Sequence, residues 1–153
     1  MKKWIQEQKQ FKNERGLTLV ELLAVIVILA IVATIAFVAI GNVMENSRQD
    51  ALIGNAQQMI ESAKLYEANS GTIEGDGIDL DNLQGETDEN IDVLEQIYDP
   101  WNKNAITGDS GRIKIGENGY EVYLKGSKKT IGSTSKFVPE ADIIKADRKE
   151  LFE

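Results

Sequence analysis

An apolar stretch near the N-terminus constrains this chain more than any other part of its sequence. Residues 17–40 are 24 consecutive residues with one charged side chain, Glu21, and two hydroxyl side chains, Thr18 and Thr34. A helix of that length measures about 36 Å and can cross a hydrocarbon core of about 30 Å. A carboxylate costs about 2.5–3.5 kcal/mol at the bilayer centre, and less toward its edge. The stretch therefore predicts a membrane span with a functional carboxylate.

Composition narrows the function of the remaining residues. The chain has 153 residues, which leaves room for one small domain of about 100 residues beside the span. It contains no His and no Cys, so the commonest general base and the thiolate nucleophile are both missing. We therefore predict a protein that is not an enzyme. The net charge of −8 also argues against binding nucleic acid over the whole surface.

The residues before the span predict its orientation. Residues 1–16 carry five basic side chains against two acidic ones, so this leader belongs in the cytoplasm and the chain after Ile40 on the outer face. No small-x-small cleavage site follows the apolar stretch, and the only small-residue junction is Gly16, which precedes it. One alternative is an uncleaved single-pass anchor that carries an extracellular binding module.

The residues around Gly16 support a second interpretation. Glu14-Arg15-Gly16, then the sequence LTLVE ending at Glu21, then the apolar stretch, resemble the class III signal of type IV pilins and pseudopilins. The resemblance implies that prepilin peptidase cuts between Gly16 and Leu17 and that the new amine of Leu17 is methylated. It also implies assembly with other pilin subunits by a platform and an ATPase. The first mature residue is usually phenylalanine in that family, whereas here it is Leu17.

Glu21 has an electrostatic role under this interpretation. The amine of Leu17 and the carboxylate of Glu21 lie about 6 Å apart along one helix, so each can pair with its counterpart on a staggered neighbour. Many family members have a proline where Val38 stands, and Gly41 is the nearest helix-weakening residue. Local melting of the helix would therefore centre near Gly41 or be absent.

The helical pattern continues beyond the span. Residues 42–71 carry an apolar stripe at helical spacing, and Asn69-Ser70-Gly71 provides a stop signal. We predict one helix from Leu17 to about Asn69, whose second half packs against a small domain. The stripe consists of Leu52, Ala56, Met59, Ile60, Ala63 and Tyr66.

An acidic region spans residues 72–110. Between Glu74 and Asp99 there are ten acidic residues and no basic one. Asp76, Asp79 and Asp81 are weak candidates for calcium ligands, because their spacing does not match an EF-hand, and a solvated loop is the alternative. Otherwise no cofactor is expected. Thr87 is predicted to cap a short helix over residues 88–98, with Ile91, Leu94 and Ile97 facing inward.

The sequence Asp99-Pro100-Trp101-Asn102 resembles a motif that precedes the sheet in the major pseudopilins of type II secretion. Proline fixes the turn, and tryptophan is large enough to lock the loop to the helix. Asn102 stands where the motif has glycine, and asparagine is an acceptable residue for the left-handed conformation. This turn is predicted to have a structural role.

Residues 111–138 predict an antiparallel sheet. Residues 112–115 and 120–124 alternate in polarity around a turn at Asn118-Gly119, and a third strand is predicted within 130–138. The strand from Tyr120 to Gly126 also resembles the pseudopilins, but Ser127 and two lysines stand where that family binds calcium. The tail, 139–153, has a helical pattern formed by Ala141, Ile144, Arg148 and Leu151.

Four lysines occur in a stretch without acidic residues between Val122 and Pro139, namely Lys125, Lys128, Lys129 and Lys136. They form a solvated patch, meet the acidic loop of a neighbouring subunit, or contact DNA phosphates. Without interleaved aromatic residues the DNA option is the weakest.

The predicted fold class is α+β and pilin-like: a long N-terminal helix, half transmembrane and half amphipathic, packed on a small antiparallel sheet. The predicted segments are a leader (1–16), a membrane or filament-core helix (17–41), its amphipathic continuation (42–71), an acidic region (72–110), a sheet (111–138) and a tail (139–153). The predicted location is the cell membrane for the precursor and the cell surface for the filament. Whether such a filament serves as a pilus, in DNA uptake or in secretion stays open.

Overall fold

The computed structural model describes residues 2–70, 72–85, 92–145 and 151–152, with side chains in the first range from 18 to 69. The chain forms two compact units, Met1–Met44 and Glu45–Glu153. The long helix and the small antiparallel sheet that the sequence predicts are both present.

Helix α1 spans Lys2–Ser70, a length of 69 residues. It ends where the Asn-Ser-Gly signal predicts, but it begins fifteen residues earlier than Leu17. The backbone is helical at Gly16 as well. Residues 2–15 are rich in Lys, Gln and Glu, which favour helix, and one glycine costs only about 1 kcal/mol. No break occurs at Val38 or Gly41 either.

The second unit contains a five-stranded sheet rather than the predicted three-stranded one. Strands β1 to β4 are neighbours in chain order, all pairs are antiparallel, and β5 also pairs with β3. The strand predicted within 130–138 is two short strands at either end of that range. The strands are β1 (Ile78–Asp79), β2 (Gly111–Gly116), β3 (Gly119–Lys125), β4 (Thr130–Ile131) and β5 (Val138–Pro139).

The predicted stripe of α1 forms one wall of the core. Leu52, Ala56, Met59, Ile60 and Ala63 are each at most 1% exposed. They pack with Ile113, Val122 and Leu124 of the sheet, and Tyr66 lies at the margin of this cluster. Gly111 allows the close approach, because a Cβ there would stand 2.7 Å from Leu80 Cδ1 and 3.0 Å from Met59 Cε.

The short helix predicted over residues 88–98 is wrong where it can be compared. Thr87 and Ile91 lie outside the described residues, and residues 92–98 contain no helix. Leu94 and Ile97 are buried as predicted, but the amides of Val93 and Leu94 both donate to the Leu83 carbonyl. A spacing of three apolar residues suits a helix and an irregular buried segment equally, so the pattern was ambiguous. The short helix of this region is instead α2 (Leu80–Leu83).

The C-terminal tail docks on the sheet. Helix α3 spans Glu140–Lys145 and buries Ile143, whereas Ile144, which the sequence pattern placed inward, is 64% exposed. Leu151 is 3% exposed, as predicted, and Phe152 bridges to Ile131. Arg148 lies outside the described residues. Burial of Leu151 beside β4 closes that end of the core.

Candidate functional site

The apolar part of α1 is the first candidate site. Every leucine, isoleucine, valine, phenylalanine and methionine from Leu19 to Met44 is at least 50% exposed. One helix is long and apolar enough to cross a membrane by length and composition. Burying such a side chain stabilises by about 1.5–3 kcal/mol, so this surface requires lipid or protein around it.

Glu21 lies on this exposed helix, one turn after Leu17. The sequence from 18 to 44 contains no Lys or Arg, so a counter-charge for Glu21 must come from outside that segment. Gly16 and Leu17 are part of the same helix, and their surroundings lie outside what the structure describes.

A turn at Asp99–Asn102 is the second candidate site. Asp99 is 4% exposed, and its Oδ1 accepts hydrogen bonds from the Trp101 amide at 2.7 Å and the Asn102 amide at 3.3 Å. The same carboxylate accepts from the Ser127 hydroxyl at 3.2 Å and from the Ser127 amide. The turn is therefore joined to the chain that leaves β3. Gly126 leaves room for it, since a Cβ there would stand 3.3 Å from Asp99 Oδ2.

Trp101 joins the turn to α1. Its indole Nε1 donates to both carboxylate oxygens of Glu45, at 3.2 and 3.0 Å. Asn55 adds a hydrogen bond from its side-chain amide to the Tyr98 carbonyl, at 3.0 Å. The prediction that tryptophan locks this loop to the helix is confirmed. Among the described residues, the non-glycine residue with a positive φ is Lys103, at 60°, one position after Asn102.

Two hydrogen-bond networks of the second unit shift pKa values. Burial alone would raise the pKa of Asp99, but the hydrogen bonds from Trp101, Ser127 and Asn102 outweigh it and hold that pKa below its usual value. The hydrogen bond from the Tyr120 hydroxyl to Glu67, with burial, raises the pKa of Tyr120. The Tyr120–Glu67 bond joins β3 to α1, whereas the Asp99 bonds join the turn to the chain that leaves β3.

The three weak calcium candidates are placed separately. Asp79 caps α2 by accepting from the Asn82 amide at 3.0 Å, and Asp81 accepts from the Gly108 amide at 2.6 Å. Asp76 is exposed in the turn before β1. Among the described residues, no group of three or more acidic side chains converges as metal ligands would. Two of the three carboxylates thus already accept hydrogen bonds from backbone amides.

The comparisons with known proteins concern the first candidate site. Residues 11–37 match the prokaryotic N-terminal methylation motif. Gly16, Leu17 and Glu21 all fall within this methylation motif, so the chain carries a type IV pilin-like prepilin signal. With the long apolar helix, the motif fits a membrane-anchored precursor. No curated protein and no solved structure matches the chain.

The sequence reasoning missed Glu45, Glu67 and Ser127 as partners of the turn and the sheet. Glu45 had a signal, because it lies seven residues before Leu52 and so continues the apolar stripe with a carboxylate. A charge at such a position requires a polar partner, which is Trp101. Ser127 had no comparable signal, since only the fold brings it to Asp99.

Proposed function

We propose that this chain is the precursor of a structural subunit of a type IV filament. Prepilin peptidase removes residues 1–16 on the cytoplasmic side and methylates the amine of Leu17. The mature chain then polymerises through its N-terminal helix, with other pilin subunits and an assembly platform driven by an ATPase. The second unit, Glu45–Glu153, which we call the outer unit, forms the filament surface. A pilus, DNA uptake and secretion are all compatible uses.

The observation that carries the proposal is the methylation motif, which lies on a helix whose large apolar side chains from Leu19 to Met44 are at least half exposed. A span meant only as an anchor needs no carboxylate, and one at Glu21 costs free energy in lipid. Assembly removes that cost, because Glu21 of one subunit can pair with the Leu17 amine of the next. Lipid or filament neighbours then cover the apolar side chains between Leu19 and Met44.

Cleavage has a physical consequence for release from the membrane. The leader carries five basic side chains and two acidic ones, and positive charge holds a leader on the cytoplasmic face. Its removal leaves an amine at Leu17 as the only new cation. That amine is the group that Glu21 of a neighbour can neutralise. Processing therefore turns a fixed anchor into a helix that can leave the bilayer.

We further propose that the outer unit is pseudopilin-like. The support is the Asp99–Asn102 turn, which lies between β1 and β2 and is bound to α1 through Trp101. In this role the turn is structural: it fixes the outer unit to the helix that assembles.

The test is to express the chain with and without a prepilin peptidase and to measure its mass. The expected result is loss of residues 1–16 and addition of one methyl group only when the peptidase is present. A Gly16→Ala variant is the control, and it should stay at full length. An N-terminus that stays at Met1 in every case would contradict the proposal and favour an uncleaved anchor with an outer binding module.

A further inference from the structure

The second unit contains charged side chains that form no salt bridge within it, although Arg48 and Lys128 lie close enough to Glu45 to help lower the pKa of its carboxyl group. Among its described residues, four basic side chains form salt bridges, namely Lys64, Arg112, Lys114 and Lys145. The described basic residues without a salt bridge are Arg48, Lys103, Lys125, Lys128, Lys129 and Lys136. Four of these six lie between residues 125 and 136, and we call those four the basic edge set.

The acidic residues divide in the same way. Most described carboxylates of this unit accept a hydrogen bond or form a salt bridge. The described ones with neither are Glu74, Asp76, Asp92, Glu95 and Glu117, and all five are exposed. The first four precede β1 or follow α2, and we call them the acidic edge set. Glu117 stands apart, in the turn between β2 and β3.

The sheet topology separates the two sets. Glu74 and Asp76 lead into β1, which is one end of the strand order, and the basic edge set surrounds β4, which is the other end. The amides of Val93 and Leu94 bond to Leu83, so Asp92 and Glu95 stay beside α2, directly after β1. Three strand spacings separate β1 from β4, about 14 Å. Glu74 and Asp76, at the β1 end, are therefore too far from the residues around β4 to pair with them within one subunit.

We propose that the basic edge set of one subunit contacts the acidic edge set of a second copy of this chain. This inference depends on the proposed function, since it describes how outer units meet in the filament. Two different surfaces on opposite edges make a heterologous interface, which repeats without closing and so suits a helical filament. The contact fixes the register of the outer units, while the apolar helices provide most of the affinity.

A local match of opposite charges favours a second copy as the partner. The net charge of −8 repels any anionic surface, a second copy included, so the contact depends on the two oppositely charged sets and not on the charge of the whole chain. A second copy supplies the matching acidic edge set at the same concentration as the basic one. Exposed pairs of this kind are screened by salt, so their contribution falls as ionic strength rises.

Charge reversal tests the proposal in cells that assemble the filament. The basic reversal is Lys125→Glu with Lys136→Glu, and the acidic reversal is Glu74→Lys with Asp76→Lys. Each is expected to lower the sheared filament yield at least about fivefold, because like charges then face each other. The combined variant should restore most of the yield. Glu117→Lys, an exposed and unpaired acid outside both sets, is the matched control and should assemble normally.

Cross-linking gives a second measurement, since the chain has no Cys of its own. A variant with Asp76→Cys and Lys128→Cys should yield a ladder of multimers with a bis-maleimide, whereas Glu117→Cys with Lys128→Cys should not. Wild-type yield from both reversals, or no recovery in the combined variant, overturns the inference and leaves the proposed function standing. Loss confined to the basic reversal indicates a lipid or nucleic-acid partner and also overturns it. Absence of filaments from the processed wild type overturns both proposals.

Discussion

The two units of this chain differ in whether their apolar side chains are buried. In the first unit the large apolar side chains from Leu19 to Met44 are all at least half exposed, whereas in the second Leu52 and Met59 of the same helix are fully buried. The difference does not lie in helix formation, because α1 is continuous through both. It lies in the partner: a sheet from the same chain covers one half, and lipid or other subunits must cover the other.

Removing the charge of Glu21, in the exposed apolar half of α1, should have the largest effect. Glu21→Ala should leave the precursor inserted and processed but lower filament yield by about tenfold or more, since an unpaired Leu17 amine in a dry medium is costly. Immunoblots of sheared and membrane fractions measure both quantities. Glu21→Asp, which keeps the charge, should recover part of the yield. Normal filament yield from Glu21→Ala would contradict the proposed role of Glu21 in assembly.

The same truncation in each half gives a direct contrast in stability. Leu52→Ala should lower the free energy of unfolding of the outer unit by about 2–5 kcal/mol, because it leaves a cavity in a closed core. Leu29→Ala, at a side chain 60% exposed, should leave that quantity unchanged. Thermal unfolding of the detergent-solubilised protein, followed by near-ultraviolet circular dichroism, measures it. Equal losses from both variants would mean that the two halves do not unfold separately.

Asp99 tests how the outer unit holds its turn. Asp99→Asn should cost about 2 kcal/mol, because a buried carboxylate with four hydrogen-bond donors loses its charge. The lowered pKa of Asp99 means that its contribution is present above the unfolded pKa of about 3.9 and is lost as pH falls through the lower native value. Denaturant titrations between pH 6 and about pH 2 should therefore show a steeper acid loss for wild type than for the variant. Parallel curves would contradict this assignment.

Replacing Lys103 by glycine should change the stability of the outer unit by less than the Asp99 substitution, and in the opposite direction. Because Lys103 has a φ of 60°, Lys103→Gly should stabilise the outer unit by about 0.5–1 kcal/mol by relieving the left-handed backbone cost. A rise in the denaturant midpoint would show it. Asn102→Gly, at the position where the sequence motif has glycine, is the matched control. We expect it to lower the stability of the outer unit, because glycine raises the entropy of the unfolded chain and relieves no strain in the folded one.

Calcium should have the smallest effect of all. Asp79 and Asp81 already accept backbone hydrogen bonds, so the melting temperature of the outer unit should be the same with calcium and with a chelator. A shift that grows with calcium concentration would show a site formed with residues beyond those described.

The sequence was most informative where a pattern is periodic. The burial of Ala56, Met59 and Ile60 and the hairpin of β2 and β3 followed from spacing alone. The sequence failed where backbone hydrogen bonds from distant residues decide the structure. Leu94 is buried in an irregular segment because Leu83 accepts its amide, and no local pattern encodes that bond. The partner of Asp99 was equally hidden, since Ser127 is 28 residues away along the chain.

The continuity of α1 through Gly16 bears on the rate of processing. The Gly16–Leu17 bond, where the proposed cut falls, lies within a hydrogen-bonded helix. The helix must therefore open locally before the bond can be cut, and such openings occur only as brief excursions from the folded state. Glycine lowers the cost of that opening by about 1 kcal/mol relative to alanine, which is roughly a fivefold gain in the open population. If the chain is cut after Gly16 as proposed, this glycine raises the fraction of precursor that a peptidase can bind.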